Sequence, residues 1–148
     1  TLCHPEWLNT IGSYLVSHQD VARRLMIEFT ETALFENIEE SIAFMSKLKK
    51  MGCKIAIDDF GSGYLAITHL KNHLVDVVKI AGDFTMNLSK ENLLFIRTIL
   101  ALTLPQKIKS VAECIENQDQ IKLLHETGID LFQGHHLGKP SLIRPWIV

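Results

Sequence analysis

The chain has 148 residues, of which 47% are hydrophobic and 22% are charged, and its formal net charge is −2. This length suffices for one hydrophobic core or for part of a larger one. The nearly balanced charge gives no general attraction to nucleic acid or acidic lipid, and the longest apolar-rich run, residues 93–104, is too short to span a bilayer. We therefore expect no nucleic-acid polymer as a partner and no membrane contact from this segment.

Signals for helices and strands alternate from the start of the chain. Pro5 occupies a plausible first helical position, and an apolar strand follows that helix. Asn37, with Glu40 three residues later, gives a capping-box-like start to the next helix, which Gly52 ends. The rest of the chain predicts a strand, a short helix, a strand, a largely apolar helix, a strand, a helix ending at Gly128, and a last strand.

These signals predict five helices and five strands. The helices cover residues 5–19, 37–51, about 66–71, 89–103 and 117–128. The strands cover residues 24–30, 54–58, 75–80, 108–113 and 129–134. Because the strands are nearly continuous apolar runs, we expect a parallel sheet covered on both faces, in an α/β fold that is either doubly wound or a barrel.

Polar or charged residues stand at the carboxyl end of every predicted strand and almost nowhere within the strands. The strand-end residues are Glu28 with Thr30 and Glu31, Asp58 with Asp59, Lys79, Glu113 with Glu116, and Gln133. A (β/α)₈ barrel draws its site from several strand ends on one face, whereas an open sheet concentrates its ligand at one switch point. The spread over all five strands favours a TIM-barrel-type fold, of which this chain would supply about five of the eight strand–helix units.

Four of the strand-end carboxylates predict a divalent metal centre. Glu28, Asp58, Asp59 and Glu113 supply the hard oxygen ligands that Mg²⁺ or Mn²⁺ prefers. Two cations sharing a bridging carboxylate would clamp a phosphodiester and generate hydroxide. Lys79 would then place positive charge on a phosphate oxygen or orient the attacking water.

Each of these residues also has an ordinary structural explanation. Asp58, ahead of the GSG sequence, could serve a turn, and Lys79 could be a strand-end lysine whose head reaches water. Glu113 could belong to the solvated first turn of a helix, and Glu28 to surface charge before a loop. This explanation requires five strand ends to acquire polar residues independently, so a shared site is the better interpretation.

Five sequence blocks resemble, in order and spacing, the signature blocks of the EAL-domain cyclic di-GMP phosphodiesterases. They are EFTET, DDFGSGY, DVVKI, AECIE and QGHHLGKP, and the similarity extends over nearly the whole chain. The resemblance implies a modified TIM barrel that hydrolyses cyclic di-GMP to linear pGpG with Mg²⁺ or Mn²⁺. It also implies a cytoplasmic protein in which residues 1–148 are the C-terminal portion of a single EAL domain, with the N-terminal strands missing and a sensory or GGDEF-type domain upstream.

The resemblance gives each strand-end residue a role. Glu28, Asp58 and Asp59 correspond to metal ligands, with Asp58 bridging two metals. Lys79 corresponds to the lysine that positions the water, and Glu31 to the glutamate that steadies the loop after the aspartate pair. The far side of the site carries the catalytic Glu113 and the ligand-binding residues Glu116 and Gln133.

Several positions depart from the family pattern. Ala81 stands where the family has an acidic residue, Cys114 where it has glycine, and Leu65 where a small polar residue is usual. The glutamate of the EAL motif and a metal-binding asparagine are expected before Thr1. Two hypotheses follow: the full-length protein is a phosphodiesterase of which this fragment alone is inactive, or the chain comes from a degenerate EAL domain that acts as a cyclic di-GMP receptor or protein-interaction module. A generic metal hydrolase on a barrel is a more distant alternative.

The cysteines and the strand edges give two further expectations. Cys3, Cys53 and Cys114 are odd in number and lack metal-site spacing, so we expect buried free thiols in a reducing cytoplasm. Five strands of a barrel leave two open edges, beside residues 24–30 and 129–134, without the Pro or Lys that protects an edge. The piece is therefore expected either to accompany its missing strands or to form a homodimer or larger assembly through those edges.

Overall fold

The computed structural model of the chain describes residues 5–61 and 74–142, apart from the side chains of residues 5–8, 35 and 36. The strands are β1 Met26–Thr30, β2 Lys54–Phe60, β3 Val77–Ile80, β4 Lys109–Ala112 and β5 Leu131–Phe132. The helices are α1 Pro5–Ser17, α2 Gln19–Arg24, α3 Glu31–Glu36, α4 Ile38–Lys50, α5 Gly82–Thr85, α6 Lys90–Thr103 and α7 Gln118–Thr127. The helix predicted at about residues 66–71, and Leu65, lie outside the described residues.

The five strands form one parallel sheet in the order β1-β2-β3-β4-β5, which is also their order along the chain. Among the described residues, helices connect β1 to β2, β3 to β4 and β4 to β5, because parallel neighbours need a crossover between them. This is the α/β arrangement that the sequence predicts, and it is part of a TIM-barrel-type fold. Because all strands run the same way, their carboxyl ends meet at a single edge of the sheet.

The two faces of the sheet carry different side chains. One face packs against the helices through a large core that includes Ile55, Ile57, Val78 and Ile80, all essentially buried. The opposite face, called here the inner face, carries a small separate apolar cluster. Its members are Ala56, Val77 and Val111. Burial of each large aliphatic side chain contributes about 1.5–3 kcal/mol, so the helix-facing side supplies most of the stabilisation.

β3 and β5 each begin two residues later than predicted, directly after an aspartate. The carboxylate of Asp76 accepts the amide of Ile55 at 2.8 Å, and that of Asp130 accepts the amide of Ser110 at 2.9 Å. A side-chain oxygen thus takes a position that a strand carbonyl would otherwise fill. β3 therefore covers Val77–Ile80, and β5 covers only Leu131–Phe132, where the sequence predicted a strand to residue 134.

Helix starts agree with the sequence where a capping side chain is present. Asn37 accepts the amide of Glu40, and Asn117 forms a complete capping box with Gln120. The prediction of one helix over residues 5–19 was wrong, since α1 ends at Ser17 and α2 begins at Gln19. The short helices α2, α3 and α5 were not predicted, because four to six residues are too few to show a helical period.

The cysteine prediction holds for one residue and fails for another. Cys53 is buried, as expected, whereas Cys114 is exposed. The chain leaves β4 at Ala112 and turns, with Cys114 at a φ of 55°, so that Ile115 is buried instead. Cys3 lies outside the described residues. Within the described part of the chain, no helix combines the length and apolar character that crossing a membrane requires.

Candidate active site

Lys79 stands at the centre of the polar residues on the carboxyl edge of the sheet. Its Nζ donates to Asp58 Oδ1 at 2.6 Å and to Glu28 Oε2 at 3.1 Å, and lies 2.9 Å from Glu113 Oε1. The lysine is only 6% exposed although it is charged. These four residues, from β1, β2, β3 and the end of β4, are called the Lys79 cluster below.

The charges of the Lys79 cluster are strongly interdependent. Burial alone would lower the pKa of Lys79, but its bonds to Asp58, Glu113 and Glu28 outweigh that effect and raise the pKa above its ordinary value. Burial raises the pKa of Glu113, against the opposing effect of Lys79. Three carboxylates share one ammonium group, so the cluster has an excess of acceptors and of negative charge that a further cation would offset.

The far side of the site opens into a cavity of about 800 Å³. Glu113, Glu116 and Gln133 line it together with Cys114 and the chain after β5. Gln133 Nε2 donates to Glu113 Oε1 at 3.3 Å, which links the cavity to the Lys79 cluster. The three residues that the sequence assigned to the far side therefore lie together, in a space of the size that small-molecule ligands occupy.

Glu31 contacts the loop that follows the aspartate pair. It is the first residue of α3 and is 1% exposed, and its Oε2 accepts the amide of Gly61 at 2.8 Å. Gly61 has a φ of 101°, and a Cβ there would lie 2.7 Å from the ring of Phe95 and 2.9 Å from that of Phe84. Only glycine fits this turn, and the buried carboxylate holds it in place.

The oxygen donors of the Lys79 cluster fit a divalent cation by type, but the described residues do not form a complete coordination site. Within residues 5–61 and 74–142, no three Asp, Glu, His or Cys side chains are grouped so as to hold a metal ion. Lys79 lies between the carboxylates of Glu28, Asp58 and Glu113, and Asp59 is exposed beside Asp58 with a φ of 55°. Carboxylates of this kind suit Mg²⁺ or Mn²⁺, given further ligands.

Two departures from the family pattern affect the structure near the site. Ala81 is buried immediately after β3 and precedes α5 without making a side-chain cap. A Cβ at Gly82 would lie 2.6 Å from Cys114 Sγ. The cysteine at position 114 therefore depends on the glycine at position 82.

Sequence reasoning missed two buried polar residues that contact the site from behind. Thr85, in α5, and Gln120, in α7, hydrogen-bond to the backbone that carries Glu113 and Glu116. The only sequence signal for Gln120 is its position as the third residue of α7, which begins after the N-cap Asn117. No sequence signal marks Thr85, because its partner is 28 residues away.

The fold and the site together define a barrel-type α/β domain with an acidic, lysine-centred site on the carboxyl edge of its strands. The EAL domain family model matches residues 1–140. The chain therefore belongs to the EAL domain family, and the resemblance found in the sequence is confirmed.

Proteins similar to this chain include several that are named as phosphodiesterases. The chain is 33% identical over 143 residues to cyclic di-GMP phosphodiesterase PdeF of Escherichia coli (strain K12), covering 95% of this chain and 19% of that protein. It is 29% identical to the PaMucR phosphodiesterase in its c-di-GMP complex, with a TM-score of 0.85 over 93% of this chain and 57% of that one. It is 26% identical to the manganese and cyclic di-GMP complex of Klebsiella pneumoniae BlrP1, with a TM-score of 0.82 over 93% of this chain and 36% of that one. The chain spans about a fifth of the length of the curated relatives it matches.

Proposed function

We propose that this chain is the C-terminal portion of one EAL domain, and that the complete domain hydrolyses cyclic di-GMP to linear pGpG with divalent cations. The observation that carries the proposal is the Lys79 cluster, in which carboxylates from three strand ends surround one lysine. The names of the relatives support the reaction and the substrate. The manganese complex of BlrP1 supports a divalent metal, and we propose Mg²⁺ or Mn²⁺ as the physiological ion.

Glu28, Asp58 and Asp59 are the residues that would hold the cations. Bound cations would polarise the phosphodiester and lower the pKa of a bound water molecule. Lys79 would direct its ammonium group toward that water or toward a phosphate oxygen. Its raised pKa keeps it charged across the physiological range.

The remaining residues serve the ligand and the shape of the site. Glu113 would act from the far side, while Glu116 and Gln133 would contact the nucleotide in the cavity. Glu31 would hold the loop after the aspartate pair through its bond to Gly61.

We further propose a cytoplasmic protein with a sensory or GGDEF-type domain upstream of this segment. MucR of Pseudomonas aeruginosa, which is named as both a diguanylate cyclase and a cyclic di-GMP phosphodiesterase, is a relative with two activities in one chain. For the 148-residue piece without the missing strands, we propose association into a homodimer or larger assembly through its strand edges.

Product analysis with the full-length protein and with residues 1–148 alone tests the proposed reaction. We expect the full-length protein to convert cyclic di-GMP to pGpG with Mg²⁺ or Mn²⁺ and to stop on chelation. We expect the fragment to give no appreciable turnover, because two of the ligands that the family resemblance implies are expected upstream of it. Absence of pGpG from the full-length protein, tested with Mg²⁺ and with Mn²⁺, would refute the proposal. Rapid hydrolysis by residues 1–148 alone would refute the proposal that some of the required ligands lie upstream of them.

Ala81 favours a second candidate function, a receptor that binds cyclic di-GMP without hydrolysing it. An acidic residue is expected at that position, and its absence leaves less negative charge beside the cluster. Calorimetric titration of cyclic di-GMP into the full-length protein with a chelator present separates the two. Tight binding without metal, together with no product when metal is added, would favour the receptor.

A further inference from the structure

The chain between β4 and α7, residues 113–117, carries both glutamates of the cavity but belongs to no helix or strand. We call it the β4–α7 segment. Its second residue, Cys114, has a φ of 55°, an unusual conformation for a residue other than glycine. The amide of Glu113 donates to the carbonyl of Ile80 at 3.3 Å, and that of Ile115 donates to the carbonyl of Gln133 at 3.1 Å. The carbonyl of Glu113 and the amide of Glu116 are instead bonded by buried side chains of α5 and α7.

Thr85 fixes the first residue of the β4–α7 segment. Its Oγ1 donates to the carbonyl of Glu113 at 2.5 Å and lies 3.3 Å from the carbonyl of Gly82. The threonine is fully buried, so water cannot replace the hydroxyl if it is removed. A buried carbonyl without a donor is costly, and the segment would shift to find another.

Gln120 fixes the other end of the segment. Its Oε1 accepts the amides of Glu116 at 2.8 Å and of Asn117 at 3.1 Å. Its Nε2 donates to the carbonyl of Thr85 at 3.2 Å. The side chain is buried, and both ends of its amide are bonded. Thr85 and Gln120 thus form one connected set of bonds between α5, the β4–α7 segment and α7.

We propose that Thr85 and Gln120 are positioning residues for the hydrolysis, acting through Glu113 and Glu116 respectively. This inference rests on the proposed function. The Glu113 carboxylate lies 2.9 Å from Lys79 Nζ, and a displacement of about 1 Å at a reacting group can reduce a rate on the order of 100-fold. Each positioning residue bonds the backbone of the glutamate that it orients, so we expect Thr85 to affect mainly kcat and Gln120 mainly KM.

The kinetic test uses the full-length protein and compares Thr85→Val with Thr85→Ser. Valine keeps the shape of threonine but removes the hydroxyl, whereas serine keeps the hydroxyl. We expect kcat to fall about 10- to 100-fold in Thr85→Val with little change in KM, and to recover within about threefold of wild type in Thr85→Ser. For Gln120→Ala we expect the larger change in KM, because Glu116 is the ligand-binding residue.

Asn117→Ala is the matched control for Gln120→Ala. It removes the other half of the capping box, the bond from the Gln120 amide to Asn117 Oδ1, but leaves the bond between Glu116 and Gln120 in place. We expect both variants to lower the melting temperature similarly, and only Gln120→Ala to change KM. The inference would be overturned if Gln120→Ala and Asn117→Ala had the same KM and kcat. It would also be overturned if Thr85→Val kept the kcat of the wild type.

Hydrogen exchange separates a failure of this inference from a failure of the proposed function, because it needs no turnover. In Gln120→Ala the amides of Glu116 and Asn117 should exchange at least about 10-fold faster, while that of Ile129 changes little. A wild-type protein without hydrolysis would overturn the catalytic role and the proposed function together. Faster exchange at Glu116 and Asn117 alone would still support the set of bonds, even without hydrolysis. Equally faster exchange at Glu116, Asn117 and Ile129 would overturn the set of bonds as well.

Discussion

The two ends of the sheet use the same residue types in different proportions. At the amino ends of the strands, Lys49 pairs with Asp76, and Lys109 pairs with Asp130. Each of these carboxylates also accepts a backbone amide of a neighbouring strand. At the carboxyl ends, Lys79 alone faces three carboxylates.

This difference in charge balance distinguishes ion pairs that stabilise the fold from a cluster that can bind a ligand. A lysine matched to one aspartate, with the remaining oxygen bonded to the backbone, leaves nothing for a ligand to satisfy. A cluster with more carboxylates than cations keeps free acceptor capacity. In barrel folds the carboxyl face is the catalytic one, and the amino face contributes to stability, which agrees with the proportions found at the two ends.

The largest expected effect comes from neutralising an aspartate at the carboxyl end. Under the proposed function, Asp58→Asn should lower cyclic di-GMP turnover on the order of 100-fold or more, since the proposed cation ligand and a partner of Lys79 are lost together. Stability should change by less than about 1 kcal/mol, because the remaining carboxylates still offset Lys79. Turnover assays and urea unfolding on the same preparation measure both. A variant that keeps full activity would contradict the assignment of Asp58.

The corresponding change at the amino end should have the opposite outcome. Asp130→Ala leaves the amide of Ser110 without its acceptor and Lys109 without its partner. We expect a loss of about 1–3 kcal/mol in the free energy of unfolding, with kcat of the folded protein unchanged. If activity fell while the urea midpoint stayed constant, the division of roles between the two ends would be wrong.

A pH titration sharpens the same comparison. Burial tends to raise the pKa of Asp130, but its bonds to Lys109 and Ser110 prevail and hold the pKa below the ordinary value of 3.8. A carboxyl whose pKa is lower in the folded state stabilises the fold above its unfolded pKa, and that contribution is lost as the pH falls through the folded pKa. The stability difference between wild type and Asp130→Ala should therefore be constant above about pH 5 and shrink below about pH 4. A difference that does not change with pH would show that the ionised carboxylate is not responsible.

The smallest expected effect concerns the two described cysteines, one at each end of the sheet. Cys114→Gly should raise the free energy of unfolding by no more than about 1 kcal/mol, because glycine relieves the positive φ but adds freedom to the unfolded chain. Cys53→Ala, just before β2, should lower it, because a buried thiol is lost from the core. Thermal unfolding of the two variants gives the signs, and equal signs would count against strain at position 114.

The sequence predicted the strand ends well and the supports behind them poorly. Glu28, Asp58, Lys79 and Glu113 could be placed together because parallel strands bring their carboxyl ends to one edge, and polarity marks where an apolar strand stops. Nothing local indicates that the hydroxyl of Thr85 reaches a carbonyl 28 residues away. Contacts between residues far apart in the chain depend on how the helices pack against the sheet. The hydrophobic periodicity of the sequence does not determine that packing.

The burial of Cys114 was wrong for a related reason. It was predicted from the number and spacing of the cysteines, which do not reveal which residue of a turn faces outward. The left-handed turn at position 114 follows from where β4 stops pairing with β5. The short helices escaped prediction because they are held by their surroundings and not by their own sequence.

Lys79 gives this acidic site a counter-charge of its own. Many small metal-binding domains fold only once the ion arrives, because their ligands repel one another without it. Here the ammonium group already offsets part of that repulsion, so we expect the fold not to depend on a bound metal ion. A descendant of this chain could therefore lose metal ligands one by one and remain folded around its cavity. If the proposed function holds, this is a route by which a phosphodiesterase could become a receptor for the same nucleotide.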